Sequence, residues 1–430
     1  MKTGAAIAAG LLALVSLRGA GPETILLRGA TVHPVSGPDI PGGSVLMRDG
    51  KIAEVGARIA APKGARVIEL KGLHIYPGMI DSATEIGLSE IGAVREMSDI
   101  SDIGLFKPQL RAATAVNPAS EHIPVTRANG ITSVVTSPGG GIVAGQSVLM
   151  HLSGWTMDDM VIRSPAAMRM EFPRIQMPGG RFGGGEAAPG RGSPYADAKK
   201  RYQQQLQELN DFMESARRYR QAKGAAGADF EVDLKLEAMI PVLDGKVPML
   251  IRAEKEKTIK EAIAFADKQG VRMILERGLE AWKVAPELKA HHIPVVLPPT
   301  LRLPEAEDDP YDKPFCIPGE LSKAGVKFAF ASFGPGDEDN PRNLPFLAAA
   351  AVGFGLPQEE ALKAVTLYAA QIWGVGDELG SIEKGKWADL IVTDGDPLET
   401  RTQIKQVFIK GSPVDLDNKH RRLYDKYLAR

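Results

Sequence analysis

The chain is poor in the residues that commonly build metal and redox centres. Its 430 residues include one cysteine, Cys316, and seven histidines: His33, His74, His122, His151, His291, His292 and His420. A single cysteine excludes an internal disulfide framework and any cysteine-rich zinc site. Cys316 lies in Lys-Pro-Phe-Cys-Ile-Pro, an apolar loop context that reads as a packed, inert thiol. No histidines form a His-x-His or His-x-x-x-His pair. His291 and His292 are adjacent, so in an extended chain they point to opposite faces. Net charge is also nearly absent, with 52 Lys and Arg against 53 Asp and Glu leaving −1 at pH 7. Nucleic acid and anionic membranes both call for a basic field, which this balance does not supply. Beyond the N-terminus no run of 18 apolar residues occurs, so no further membrane-spanning segment is expected.

What is present is ordinary globular material, 44% hydrophobic and 24% charged, in a chain long enough for two or three domains. The first residues are the exception. Met1-Lys2 is followed by an apolar stretch from Ala5 to Leu17 and by Gly19-Ala20-Gly21. A short positive head, an apolar run and a small-residue exit describe a signal peptide over 1–21, and with it an exported, periplasmic protein. Arg18 weakens the cleavage signal, so an uncleaved anchor stays open.

Short apolar runs at Ile25–Arg28, Ala30–Val32, Gly43–Arg48, Lys51–Gly56 and Ala65–Glu69 read as strands. They are separated by turn pairs such as Asp49-Gly50 and Lys71-Gly72. From residue 129 onward, β-rich runs at Ile131–Thr136, Val247–Arg252, Val271–Leu275, Ile293–Leu297 and Lys327–Ala331 alternate with helical stretches. Fully apolar strands at this spacing predict parallel pairing covered by helices, as in a (β/α)8 TIM-like barrel. A doubly wound open sheet is the alternative. Pro178–Ser193 is a glycine-rich insertion without the Gly-Lys-Ser/Thr of a phosphate loop. The last stretch, His420–Leu428, is charged and reads as a helix. The expected organisation is a composite β-sandwich of 22–76 plus 381–416, a barrel over 77–380 and a tail over 417–430.

Two motifs carry a resemblance. Pro77-Gly-Met-Ile-Asp81-Ser-Ala83-Thr-Glu85-Ile-Gly87 resembles the first metal-binding strand of the amidohydrolase superfamily, P-G-[LFM]-I-D-x-H-x-H-x-G. Gly380–Val392 resembles its closing segment, G-S-[IL]-x-x-G-K-x-A-D-L-[IV]-V, and the chain is most similar to imidazolonepropionase-like members. The resemblance implies the barrel and composite sandwich already read from the pattern. It also implies hydrolysis of non-peptide carbon–nitrogen bonds of a small cyclic or linear amide, with a divalent metal such as zinc. In the family that metal is held by strand-end histidines and by an aspartate that ends the last barrel strand.

The residues depart from that ligand set at four places. Ala83 and Glu85 stand at the two histidine positions of the first strand. Arg252-Ala-Glu254-Lys contains no histidine. Arg277 occupies a ligand position in Leu-Glu-Arg-Gly, and Phe333 stands where active relatives have aspartate. A guanidinium is permanently protonated and has no lone pair for a metal. The sequence therefore predicts no metal ligands and no cofactor. Glu85, Glu254 and Asp337 are candidate acid–base residues for a hydrolase with an atypical site. Arg277, Glu276 and Asp81 are candidate ligand-binding residues, with a small anion as ligand. His122 and His151 flank a strand pair and could reach the barrel mouth. A metal-free, degenerate member that acts as a binding or assembly partner is the leading reading. It would form a homo-oligomer, or a hetero-oligomer with a related amidohydrolase, with no nucleic acid and no membrane contact beyond the leader.

Overall fold

A computed structural model describes residues 24–92, 94–176, 194–225, 230–332 and 340–430. The expected leader, the glycine-rich insertion, Phe333 and Asp337 lie outside the described residues. The apolar runs before residue 78 form β1 (Ile25–Val32), β2 (Ile40–Arg48), β3 (Lys51–Gly56), β4 (Arg66–Glu69) and β5 (His74–Pro77). Asp49 and Gly50 turn β2 into β3 with φ of 53° and 78°, which matches the twist of a tight hairpin.

The barrel follows, built from β6 (Met79–Thr84), β7 (Ile131–Thr136), β8 (Val143–His151), β9 (Val161–Glu171), β10 (Met249–Ala253), β11 (Met273–Arg277), β12 (Val295–Leu297) and β13 (Phe328–Phe330). The eight strands pair in chain order. The ring is drawn together where the Asp81 carboxylate, on β6, accepts the Ser332 N–H just past β13 at 3.1 Å. Alternation sends Ile80, Leu250, Ile274, Val296 and Ala329 into one interior cluster. Met79, Met249, Ile251, Leu275 and Phe328 face the surrounding helices. Among the described residues no helix is long and apolar enough to cross a membrane.

The expectation of a uniformly parallel barrel is corrected here, because β8 runs antiparallel to both β7 and β9. Only six residues, 137–142, join β7 to β8, whereas a parallel crossover takes a dozen or more. The reversal also moves His151. It ends β8 at the entry end of the barrel, opposite Ser133, where Nδ1 lies 3.0 Å from the buried Asp389 carboxylate. His151 is thus a junction residue and does not reach the mouth. His122 sits on a helix start with Nε2 3.0 Å from the Glu90 carbonyl. Cys316 is also corrected: it lies inside the helix Lys313–Ala324, and burial pushes its thiol pKa up.

The chain then returns to the first sheet with β14 (Leu390–Thr393), β15 (Ile404–Ile409) and β16 (Ser412–Pro413), giving the order β16-β15-β14-β5-β1-β2-β3 with β4 beside β1. The Gly380–Val392 motif is therefore scaffold. It carries Leu390 and Val392 into a core shared with Ile25, Leu27, Val45 and Ile75. Gly78 is the point where sheet becomes barrel, and its N–H donates to the Asp389 carbonyl at 2.8 Å. A Cβ there would lie 2.2 Å from Thr132 Oγ1. Gly78→Ala is expected to cost about 1–3 kcal/mol of stability by overpacking. Urea unfolding checks this, and Thr132→Ala in the same chain should recover part of the loss.

Candidate functional site

Barrel chemistry is positioned at the exit ends of the strands. Three neighbouring strands end here in charge, namely Arg169-Met-Glu171 on β9, Arg252-Ala-Glu254 at β10 and Glu276-Arg277 on β11. Period-two alternation continues the inward row of each strand through Arg169, Arg252 and Glu276, above the apolar interior. Arg169 Nε donates to Glu276 Oε2 at 3.1 Å, and its Nη1 donates to the Pro138 carbonyl at 3.0 Å. Both members of this ion pair are buried, with side chains 8% and 3% exposed.

Glu254 is the hub of a second cluster. Arg174 Nη1 donates to Oε2 at 2.6 Å, while Arg252 Nη2 and Nε donate to Oε1 at 3.0 and 3.2 Å. Arg277 Nε lies 3.5 Å from the same Oε1. Glu171 stands further off, 3.7 Å from Arg174 and 3.9 Å from Arg252. Burial would raise the Glu254 pKa, but Arg277, Arg252 and Arg174 together hold it below its ordinary value. Arg277 goes the other way. Burial and neighbouring Arg252 bring its pKa down to about 10, against the opposing pull of Glu254 and Glu276. One carboxylate serves three guanidiniums, so the balance favours the anion and works against the most deeply buried cation.

Arg277 is also strained. Its φ of 79° lies in the left-handed region that side-chain-bearing residues rarely adopt. Such a residue costs about 1–3 kcal/mol and persists only where its surroundings over-determine it. Gly278, at φ 48°, continues the turn and donates to the Ala253 carbonyl at 3.0 Å, which fixes Arg277 beside β10.

The network divides two spaces. A cleft of about 770 Å³ is lined by Glu171, Phe172, Arg174, Tyr202, Arg252, Glu254, Lys255 and Lys257. A smaller cavity of about 150 Å³ is lined by Glu85, Gly139, Gly140, Gly141, Arg169, Glu171 and Arg252. Glu85 and Glu254 thus border different spaces, and the structure does not bring them together as an acid–base pair. Glu85 bears instead on Arg169, whose pKa its charge helps to raise against the lowering effect of burial. Glu276 pairs with Arg169. Asp81 is fully buried and accepts from the Ala83 and Ser332 N–H groups, a role in closing the barrel.

Sequence reasoning missed Arg169, Arg174 and Arg252. The first two belong to β9 or its exit, which the strand pattern did not reveal. The signal was the alternation Ala167-Met-Arg169-Met-Glu171, in which charge interrupts an otherwise apolar strand every second residue.

Comparison with known proteins places this architecture. Residues 317–414 match the amidohydrolase family profile. The crystal structure of an amidohydrolase from Thermotoga maritima MSB8 superposes with a TM-score of 0.78 at 28% identity, covering 91% of this chain and 99% of that one. The chain belongs to the amidohydrolase superfamily. Among curated relatives, amidohydrolase tasK of Hapsidospora irregularis is 24% identical over 414 residues, 88% of this chain but 41% of its own length. The chain therefore spans less than half of that relative. An imidazolonepropionase of Caldanaerobacter subterraneus subsp. tengcongensis is 21% identical over 398 residues, 84% of this chain and 86% of the relative.

The superfamily's divalent metal can be tested against the residues present. It would need lone-pair donors at the exits of β6, β10 and β11. Ala83, Arg252 and Arg277 offer none there, and the carboxylates at these exits do not stand in: Glu254 and Glu276 are paired with arginines, and Glu85 borders a different space from Glu254. Among the described residues no group of three or more His, Cys, Asp or Glu converges in a way that could hold an ion. The described residues do not fit a divalent metal.

Proposed function

We propose that this chain is an exported, metal-independent member of the superfamily whose barrel mouth binds a small anionic ligand and does not activate water for hydrolysis. Arg277 carries the reading. It is a buried, permanently charged guanidinium held in a strained turn beside Glu254 at a position where the superfamily's motif places a metal ligand. A cation there neutralises buried carboxylate charge as a metal would, but it supplies no bound water of lowered pKa.

The anionic ligand follows from the same geometry. Arg174, Arg252 and Arg277 share Glu254, and Arg277 Nε and Nη1 have no hydrogen-bond acceptor among the described residues. A carboxylate entering the 770 Å³ cleft meets Arg174, Arg252, Lys255 and Lys257 interleaved with Glu171, Glu254, Glu261 and Glu305, so it must compete with these glutamates for the cations, with Phe172 as apolar wall. Export is supported by the leader-like composition of residues 1–21. Calorimetric titration with short dicarboxylates, succinate first, is expected to show saturable binding. Arg174→Gln should weaken it about tenfold, the loss of one charge-assisted hydrogen bond. Flat titrations across the series would count against an anionic ligand.

A further inference from the structure

The net charge of −1 hides two poles. Residues 419–430 carry five cationic side chains against Asp425, a side-chain charge of +4. The helix Lys419–Leu428 within them starts at an Asn418 cap, and none of its residues is buried. Leu423, Tyr424, Tyr427 and Leu428 fall on one face and are 38%, 65%, 56% and 70% exposed. A helix of this length is marginal in water by itself and gains stability chiefly by packing an apolar face. Among the described residues, Lys426 and Arg430 lie over the Tyr427 ring and the rest of this face is open.

The complementary surface lies elsewhere on the same chain. Residues 301–312 carry five carboxylates against Arg302, a side-chain charge of −4. The stretch also displays Leu301, Leu303 and Tyr311 at 56%, 71% and 78% exposure. It leaves the exit end of β12. The helix starts at the other end, where Arg127, just before β7, donates to the Asp415 carbonyl at 3.2 Å. Arg422 then reaches Glu121 at 3.7 Å. One chain cannot bring its own two poles together.

We infer that the C-terminal helix of one copy docks on the 301–312 loop of a second copy. Opposite charges match in magnitude, and each surface offers aromatic and aliphatic side chains to bury. Such a contact uses different patches on the two partners. It therefore propagates head to tail, closing into a ring or growing as a filament. The acidic loop borders the barrel mouth, so docking would also wall one side of it.

Sedimentation velocity of the full chain is expected to show concentration-dependent association that weakens as salt shortens the Debye length. Lys426→Glu/Arg430→Glu on the helix, or Glu307→Lys/Asp308→Lys on the loop, each bring their pole to a side-chain charge of zero and should weaken self-association at least about tenfold. Mixing the two variants should restore association as a one-to-one pair, because the unaltered helix of one meets the unaltered loop of the other, whereas all four substitutions in one chain leave both poles neutral and should keep it monomeric. All these side chains are surface groups, so the variants keep the fold. A wild type that stays monomeric across the concentration series would overturn the proposal. So would association that the substitutions leave unchanged, or a helix that binds vesicles of anionic phosphatidylglycerol while the chains remain monomeric.

Discussion

Glu254→Gln is expected to lower folding stability by about 3–5 kcal/mol, because it takes the nearest counter-ion from buried Arg277 and leaves Arg174 and Arg252 only the more distant Glu171. The same substitution on an exposed salt bridge would change little. Here the Glu254 side chain is 12% exposed and faces Arg174, Arg252 and Arg277. The matching experiment is Arg277→Gly. It removes the cation that burial disfavours most and relieves a φ of 79°, while Glu254 keeps two arginines. Strain relief of about 1–3 kcal/mol is set against the extra backbone freedom of glycine, about 1 kcal/mol, and the lost pairing. The net change should lie within about 1 kcal/mol of wild type. Urea unfolding at pH 7 measures both, and equal losses would contradict the view of Glu254 as the hub. The pH dependence has a definite sign. The Glu254 pKa is lowered in the folded state, so its contribution is present above the unfolded carboxylate value of about 4.3. It is lost as pH falls through the lower folded value, and the gap between wild type and Glu254→Gln should close in acid.

Arg169→Met should be of similar size, about 3–5 kcal/mol, since it strands Glu276 in the interior. Both partners are almost fully buried 3.1 Å apart, and Glu85 also bears on Arg169. Replacing both, as Arg169→Met/Glu276→Leu, removes the charges together and should return the chain to within about 1 kcal/mol of wild type. A double-mutant cycle would then give a coupling of several kcal/mol. If either single substitution cost less than about 1 kcal/mol, neither charge would depend on the other for its place in the interior.

The fold was legible because its signals are local. Asp49-Gly50 marks a hairpin, the apolar runs from Val247 to Ala331 mark barrel strands, and Gly380–Val392 marks the returning sheet strand. The antiparallel β8 was not legible from strand composition. Its direction is set by the shortness of the 137–142 connection, which no strand pattern reports. The site was half legible. Glu254, Glu276 and Arg277 stand at strand ends that the motifs located, and they do gather at the mouth. Arg169 pairs with Glu276 across 107 residues, and Arg174 with Glu254 across 80, so only the folded ring brings them together. The network occupies the exits of β9, β10 and β11 with paired charge.

The central claim is that this mouth works without a metal. Plasma mass spectrometry of the purified full chain, after dialysis against buffer without chelator, tests it most directly. The account predicts zinc, nickel, manganese and iron all far below one ion per chain. One tightly held ion per chain, lost together with thermal stability on chelation, would contradict it.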